Sequence, residues 1–130
     1  MNGSEFKSLE GLHVLVVDDN PISRRLMSHI LLQWKVSTDL ASNGKIAVEM
    51  VSKVIYDVVL MDVMMPELDG YEATRAIRAM GGHYFLNLPI FAFSASPDLN
   101  QIRECTMNGL ITKTPVNKEE LYQTIAPYLK

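Results

Sequence analysis

Cysteine is nearly absent from this chain. Cys105 is the single example in 130 residues, which excludes an internal disulfide and fits a reducing, cytoplasmic compartment. No run of about 18 apolar residues exists, so no segment reads as a membrane span and no membrane contact is expected of this chain. The start lacks the charged-then-apolar pattern of a signal peptide. Basic residues neither dominate nor cluster: 12 Lys and Arg stand against 15 Asp and Glu, a formal net charge of −3. Direct binding to nucleic acid is therefore not expected. The three histidines, His13, His29 and His83, share no ligand spacing, which argues against a histidine or cysteine metal centre.

What is present is the composition of one globular domain, large enough for a core at 48% hydrophobic residues. The opening stretch is unlike the rest. Gly3-Ser4-Glu5-Phe6 is what two adjacent cloning sites encode, so residues 1–8 are expected to be a vector-derived scar and flexible lead. Residues 9–130 are then expected to be a single domain, cut from a longer protein.

Along that domain, apolar runs and helical stripes alternate. His13 to Val17, Val36 to Leu40, Asp57 to Met61, Leu88 to Phe93 and Leu110 to Thr112 read as strands. Between them, Asn20-Pro21 supplies a helix cap and first residue, with Ile22, Leu26 and Ile30 recurring at i+4 and Met27 and Leu31 beside them as an apolar stripe. Ile46, Ala47, Met50 and Val51 mark a second helix, and Gly70 to about Met80 a third, stopped by Gly81-Gly82. Ser96-Pro97 caps a fourth helix with Leu99 and Ile102 inward, and Asn117 with Glu120 begins a fifth as a capping pattern. Pro127 should kink the last turn. Five strand–helix pairs imply right-handed crossovers and a parallel sheet covered on both faces.

The polar residues then fall at one edge. Asp18 and Asp19 end the first strand, Asp62 the third and Ser94 the fourth, and Lys113 follows the fifth. In an open parallel sheet these carboxyl ends converge where ligands bind. Three carboxylates cannot share a pocket unaided: two charges about 4 Å apart repel by roughly 4 kcal/mol at an effective dielectric near 20. Either one carboxyl stays protonated or a cation binds. Oxygen ligands alone favour a hard ion, and Mg²⁺ is the usual choice where phosphate is handled. A divalent ion, a lysine and a hydroxyl around one carboxylate describe a site for a phosphoryl group on Asp62.

The sequence also resembles a known family, the receiver domains of two-component response regulators and hybrid sensor histidine kinases, over about residues 11–130. The resemblance rests on Val16-Val17-Asp18-Asp19-Asn20-Pro21, on Leu60-Met61-Asp62-Val63-Met64-Met65-Pro66-Glu67-Leu68-Asp69-Gly70, on Ser94-Ala95 and on Lys113. It implies a flavodoxin-like (βα)5 fold, a doubly wound five-stranded parallel sheet of order 2-1-3-4-5. It implies Asp62 as phosphoacceptor in a phosphorelay, with phosphohistidine on a histidine kinase or histidine phosphotransfer domain as donor. Mg²⁺, with Mn²⁺ as a substitute, would be held by Asp19 and Asp62, by Asp18 through water, and by the Met64 backbone carbonyl. Ser94 and Lys113 would contact the phosphoryl group, and the same metal would assist slow self-dephosphorylation.

Partnering in a homodimer, or within the parent chain, would use the fourth helix, fifth strand and fifth helix. Two departures stand out. Thr114 separates Lys113 from Pro115, where the family has Lys followed directly by Pro, often with a cis bond. Leu110 stands where signalling receivers carry Tyr or Phe. These two departures are the basis of an alternative reading, a pseudo-receiver that binds partners without being phosphorylated. A phosphatase on this fold would need a second acid near Asp62 and a substrate cap, and a flavin-binding flavodoxin would need a Gly/Ser/Thr-rich loop after the first strand. Neither feature is in the sequence.

Overall fold

The computed structural model describes residues 6–113 and 115–130. In chain order the elements are β1 (His13–Val17), α1 (Pro21–Gln33), β2 (Ser37–Ala41), α2 (Gly44–Lys53), β3 (Val58–Met61), α3 (Gly70–Ala79), α4 (Gly82–Asn87), β4 (Ile90–Ser94), α5 (Leu99–Glu104), β5 (Gly109–Thr112) and α6 (Lys118–Ile125). A 3₁₀ turn, Ala126–Tyr128, closes the chain around Pro127, where the α-helical ladder cannot continue. All strand pairings are parallel, in the order β2-β1-β3-β4-β5. This is the doubly wound, flavodoxin-like arrangement.

The alternation of side chains along the central strands builds two cores. Val14, Val16, Val58, Leu60, Phe91, Phe93 and Ile111 face α1 and α6, meeting Met27, Ile30, Leu31, Leu121 and Ile125. Leu15, Val17, Val59, Met61, Ile90 and Ala92 face the other way, onto Ala47 and Val51 of α2, Ala73 and Ile77 of α3, and Ile102 of α5. A strand buried on both sides has to be apolar at every position, and the register Val14↔Val58 to Val17↔Met61 brings the ends of β1 and β3 level. The pocket is built on that alignment.

Several expectations need correction. The third connection holds more than one helix: α3 stops before Gly81-Gly82 as expected, but these two glycines, both at positive φ (72° and 86°), lead the chain into a further helix, α4. Only the six residues of α4 lie between Gly81 and Leu88, too few for a period to show in the sequence. The stripe on α1 is also displaced. Ile22 and Leu26 are exposed, and Met27, Ile30 and Leu31 face inward. A row at i, i+4 drifts around a 3.6-residue helix, so its first members leave the buried face by the time Ile30 reaches it.

Leu99 is exposed: it is the first residue of α5, which begins on an Asp98 cap whose carboxylate receives the Asn100 and Gln101 N–H groups. The cap is Asp98, not Ser96-Pro97. On α2, Ile46 is likewise exposed, while Gly44, Ala47 and Val51 are buried. Packing also extends ahead of residue 9. Phe6 lies with its ring centroid 5.2 Å from Trp34 and 4.9 Å from Tyr122, and the Tyr122 hydroxyl donates to the Lys7 carbonyl at 3.0 Å. The Thr114–Pro115 peptide, singled out by the sequence, lies outside the described residues.

Candidate functional site

The sheet's hydrogen bonding runs one residue past the strand ends, and this places the two central acids. Asp18 N–H donates to the Ala41 carbonyl at 3.0 Å, and Asp62 N–H donates to the Val17 carbonyl at 2.9 Å. Both carboxylates are thereby locked at the carboxyl edge, and both are buried. Behind Asp62 the chain turns and enters α3 under a reciprocal capping box between Asp69 and Glu72. Gly70 is required there: a Cβ would fall 2.2 Å from the Asp62 carbonyl oxygen and 2.8 Å from Val63 Cα. The missing side chain lets α3 press directly on the backbone that carries Asp62.

Asp18, Asp19 and Asp62 each offer a carboxylate oxygen, and these atoms lie within 4.8 Å of one another, with Asp19 exposed at the mouth. Lys113 Nζ enters the same space, 2.8 Å from Asp18 Oδ2 and 3.2 Å from Asp62 Oδ2, with Phe93 beneath it at 5.8 Å. The other oxygen of Asp62, Oδ1, receives the Met64 N–H at 3.0 Å. Asp18 is held more completely. Its Oδ1 accepts the Asn20 N–H at 2.9 Å, its Oδ2 accepts the Ser23 hydroxyl, and its carbonyl accepts Arg24 Nη1 at 2.7 Å.

These surroundings separate the two acids electrostatically. Burial pushes the Asp18 carboxyl up, but Lys113, Ser23 and the Asn20 N–H together outweigh it and hold its pKa below the ordinary value. Burial also pushes Asp62 up, more than the Met64 N–H and Lys113 pull it down, and the neighbouring Asp18 carboxylate adds a little to the rise. Burial opposes the Lys113 charge as well, yet Asp18 and Asp62 keep its pKa above that of a free lysine. The pocket is thus an acidic site, short of positive charge, with a single ammonium in it. Its donor set, oxygen atoms only from three carboxylates, suits a hard divalent cation.

The other expected residues are placed less directly. Ser94 ends β4, is buried, and sits in register with Thr112, next to Lys113. Its hydroxyl accepts the Ser96 N–H at 3.4 Å and makes no hydrogen bond to the carboxylates among the described residues. Met64 meets Asp62 through its amide nitrogen, and its side chain is exposed. Ser23 and Arg24 were not anticipated as members of the site. The only signal for them was their position one turn into the helix that follows Asp18.

A tether also reaches the loop after Ser94. The hydroxyl of buried Tyr71, on α3, accepts the Asp98 N–H at 2.7 Å. Tyr71→Phe is expected to cost about 1 kcal/mol, the usual net worth of one such bond, and to speed amide exchange over residues 96–101. Unchanged exchange there would show that the tether does not hold the loop.

Comparison with known proteins decides the family. Residues 14–126 match the model of the response regulator receiver domain. The chain belongs to the receiver domain family. Among curated relatives, it is 36% identical over 123 residues to the sensor histidine kinase RcsC of Salmonella typhi, an alignment covering 93% of this chain and 13% of that protein. The receiver domain thus spans only about an eighth of that relative's length.

Among solved structures it is similar to the receiver domain of the sensor histidine kinase PA1611 from Pseudomonas aeruginosa PAO1, crystallised with magnesium coordinated in the active-site cleft. The TM-score is 0.82 at 31% identity, covering 92% of this chain and 98% of that one. It is also similar to a co-crystal structure of the Saccharomyces cerevisiae phosphotransfer protein Ypd1 with the receiver domain of Ssk1. There the TM-score is 0.81 at 27% identity, covering 95% and 90%. This is a receiver of two-component signalling, similar to those of hybrid sensor histidine kinases.

Proposed function

We propose that this receiver, residues 9–130, accepts a phosphoryl group on Asp62 from a phosphohistidine of a histidine kinase or phosphotransfer domain. One observation carries the proposal. Asp62 is a buried carboxylate with one oxygen held by the Met64 N–H and the other beside Lys113, and two further carboxylates lie within 4.8 Å. In the transfer, an Asp62 oxygen attacks phosphorus, the phosphorus–nitrogen bond breaks, and the imidazole leaves with the bonding electron pair. Asp18, Asp19 and Asp62, with the Met64 carbonyl, would hold Mg²⁺, with Mn²⁺ as a substitute. When bound, the ion supplies positive charge to the phosphoryl oxygens and offsets carboxylate repulsion. Lys113 is already at hand to pair with the new charge, and Ser94 supplies a hydroxyl from the next strand end.

The partner surface follows from exposure near the pocket. Ile22, 79% exposed, and Leu26, 47% exposed, stand on α1 beside the residues that hold Asp18, an apolar landing area for the donor domain. The added charge, about −1.5 to −2 for a phosphate monoester, would shift a pre-existing conformational equilibrium. The consequence would be felt on the face made by α5, β5 and α6, where Leu99 and Leu110 are exposed. That face is the proposed surface for a homodimer or for the parent chain. Among the described residues no helix is long and apolar enough to cross a membrane, and we place the domain in the cytoplasm, where its donors work.

Incubation with acetyl phosphate and Mg²⁺ tests the proposal. Wild type is expected to gain one acid-stable, base-labile phosphoryl group, and Asp62→Asn none. Omission of Mg²⁺ should reduce the gain at least tenfold, on the order of the transition-state charge stabilisation a metal supplies. No gain by wild type, or an equal gain by Asp62→Asn, would rule the proposal out.

A further inference from the structure

We infer that Glu120 is a positioning residue that sets the reach of Lys113, an inference that rests on the phosphoacceptor reading above. The sequence pattern Asn117 to Glu120 predicts a reciprocal capping box, in which the Glu120 carboxylate returns to the Asn117 N–H. Half of it forms: Asn117 Oδ1 accepts the Glu120 N–H at 3.0 Å. The carboxylate goes elsewhere, accepting the Thr112 N–H through Oε1 at 2.9 Å. Thr112 is the last residue of β5 and Lys113 follows it directly.

That position matters because β5 is an edge strand, paired with β4 alone and only four residues long. Nothing beyond it in the sheet restrains its end. Ser94↔Thr112 is the last pair of the ladder on the inner side, and Glu120 is the fixed point on the outer side. Glu120 is itself anchored, since its N–H is capped by Asn117 and its carbonyl accepts the Thr124 hydroxyl at 2.7 Å. The backbone at residue 112 is therefore gripped from both sides, one residue before the lysine whose Nζ must lie 2.8 Å from Asp18 and 3.2 Å from Asp62. Lys113 has a flexible stem, so its placement depends on its root.

Glu120 touches neither donor nor metal and acts only through the Thr112 amide. Glu120→Ala is expected to lower the maximal rate of phosphorylation by acetyl phosphate about tenfold, below the roughly hundredfold that a misplacement of about 1 Å can cost. Half-saturation for the donor should be unchanged. Mg²⁺ affinity should be unchanged or slightly higher, because a less firmly held ammonium competes less for the carboxylates. Glu120→Gln keeps an acceptor oxygen, and should restore the rate to within about twofold and keep the Thr112 amide protected from exchange, on the physical ground that a neutral acceptor still holds the bond.

Three outcomes would overturn the inference alone: Glu120→Ala phosphorylated at the wild-type rate, Glu120→Gln as slow as Glu120→Ala, or Mg²⁺ affinity falling in parallel with the rate, as general loosening would cause. If wild type itself takes no phosphoryl group, the phosphoacceptor reading falls first and the inference with it.

Discussion

Arg78→Met is expected to destabilise the domain by about 3 kcal/mol, lowering its melting temperature by about 10 °C. Arg78 is a nexus and not a solvated surface residue. Nη1 donates to the Phe85 and Leu88 carbonyls, both at 2.8 Å. Nη2 donates to the Thr106 carbonyl at 2.9 Å and to Asn108 Oδ1 at 3.2 Å, and Nε donates to the Thr106 hydroxyl at 3.1 Å. One guanidinium thus ties α3 to the end of α4, to the entry of β4 and to the turn between α5 and β5. No carboxylate is among these partners, so burial lowers its pKa, though never enough to discharge an arginine.

Methionine replaces the apolar stem but takes the donor from three carbonyl groups and from the Thr106 hydroxyl, while Asn108 Oδ1 keeps only the Ile90 N–H at 2.9 Å. Each hydrogen bond to a charged group is worth about 1.5–3 kcal/mol in isolation. Water reaches part of the cluster and the terms are not additive, which keeps the sum near 3 kcal/mol. Arg78→Lys should recover only part of the loss, since an ammonium lacks the planar fork that serves partners on three sides. Urea unfolding of the two variants checks this. A loss below about 1 kcal/mol for Arg78→Met would mean that the contacts are no stronger than those of an ordinary exposed arginine.

Lys113→Met should have an effect of similar size that depends on the solution. At neutral pH the substitution leaves Asp18 and Asp62 buried together with no cation between them. Removing one side of a buried ion pair costs about 3–5 kcal/mol, and the lower end is expected because the lysine is partly exposed. The pH dependence has a definite sign. Without Lys113 the Asp62 carboxyl, already raised in the folded state by burial, rises further, and Asp18 loses a contact that lowers it, so at Asp62 the folded state binds more protons than the unfolded state. The variant's stability should then fall as pH rises above about 4. Below that range both acids are protonated and the variant approaches wild type.

Mg²⁺ should rescue Lys113→Met at neutral pH, by an amount that grows with the logarithm of ion concentration, and should rescue it more than it stabilises wild type. Phosphorylation should fall sharply even when Mg²⁺ saturates. A variant as stable as wild type at pH 7 without metal would contradict the acidic-pocket electrostatics.

Much of the fold was open to sequence reading, for a physical reason. Strands buried on both faces, such as β1 and β3, have no freedom in composition, so their apolar runs and the acids ending them stand out. The caps at Asn20 and Asn117 could be read likewise, since a side-chain oxygen at a helix start has a specific task. Short elements held by tertiary contacts could not. α4 depends on Arg78 reaching the Phe85 carbonyl and on the Tyr84 hydroxyl accepting the Tyr56 N–H at 2.8 Å, and neither contact leaves a periodic signal in the sequence.

On α1 the expected stripe held in part: Met27, Ile30 and Leu31 are buried, while Ile22 and Leu26, at the start of the i, i+4 row, lie off the buried face. At the site, the strand-end residues were legible and their supports were not. Ser23, Arg24 and Glu120 act through hydrogen bonds whose existence depends on how two elements meet. Glu120 in particular carried a legible capping signal for a carboxylate that the fold uses on Thr112.

The most direct test of the central claim is to locate the phosphoryl group itself. The domain is treated with acetyl phosphate and Mg²⁺, the acyl phosphate is trapped by borohydride reduction, and the modified residue is identified by peptide mass spectrometry. Modification at Asp62 alone is the predicted result. Modification at Asp18 or Asp19 instead, or none at any aspartate, would contradict it.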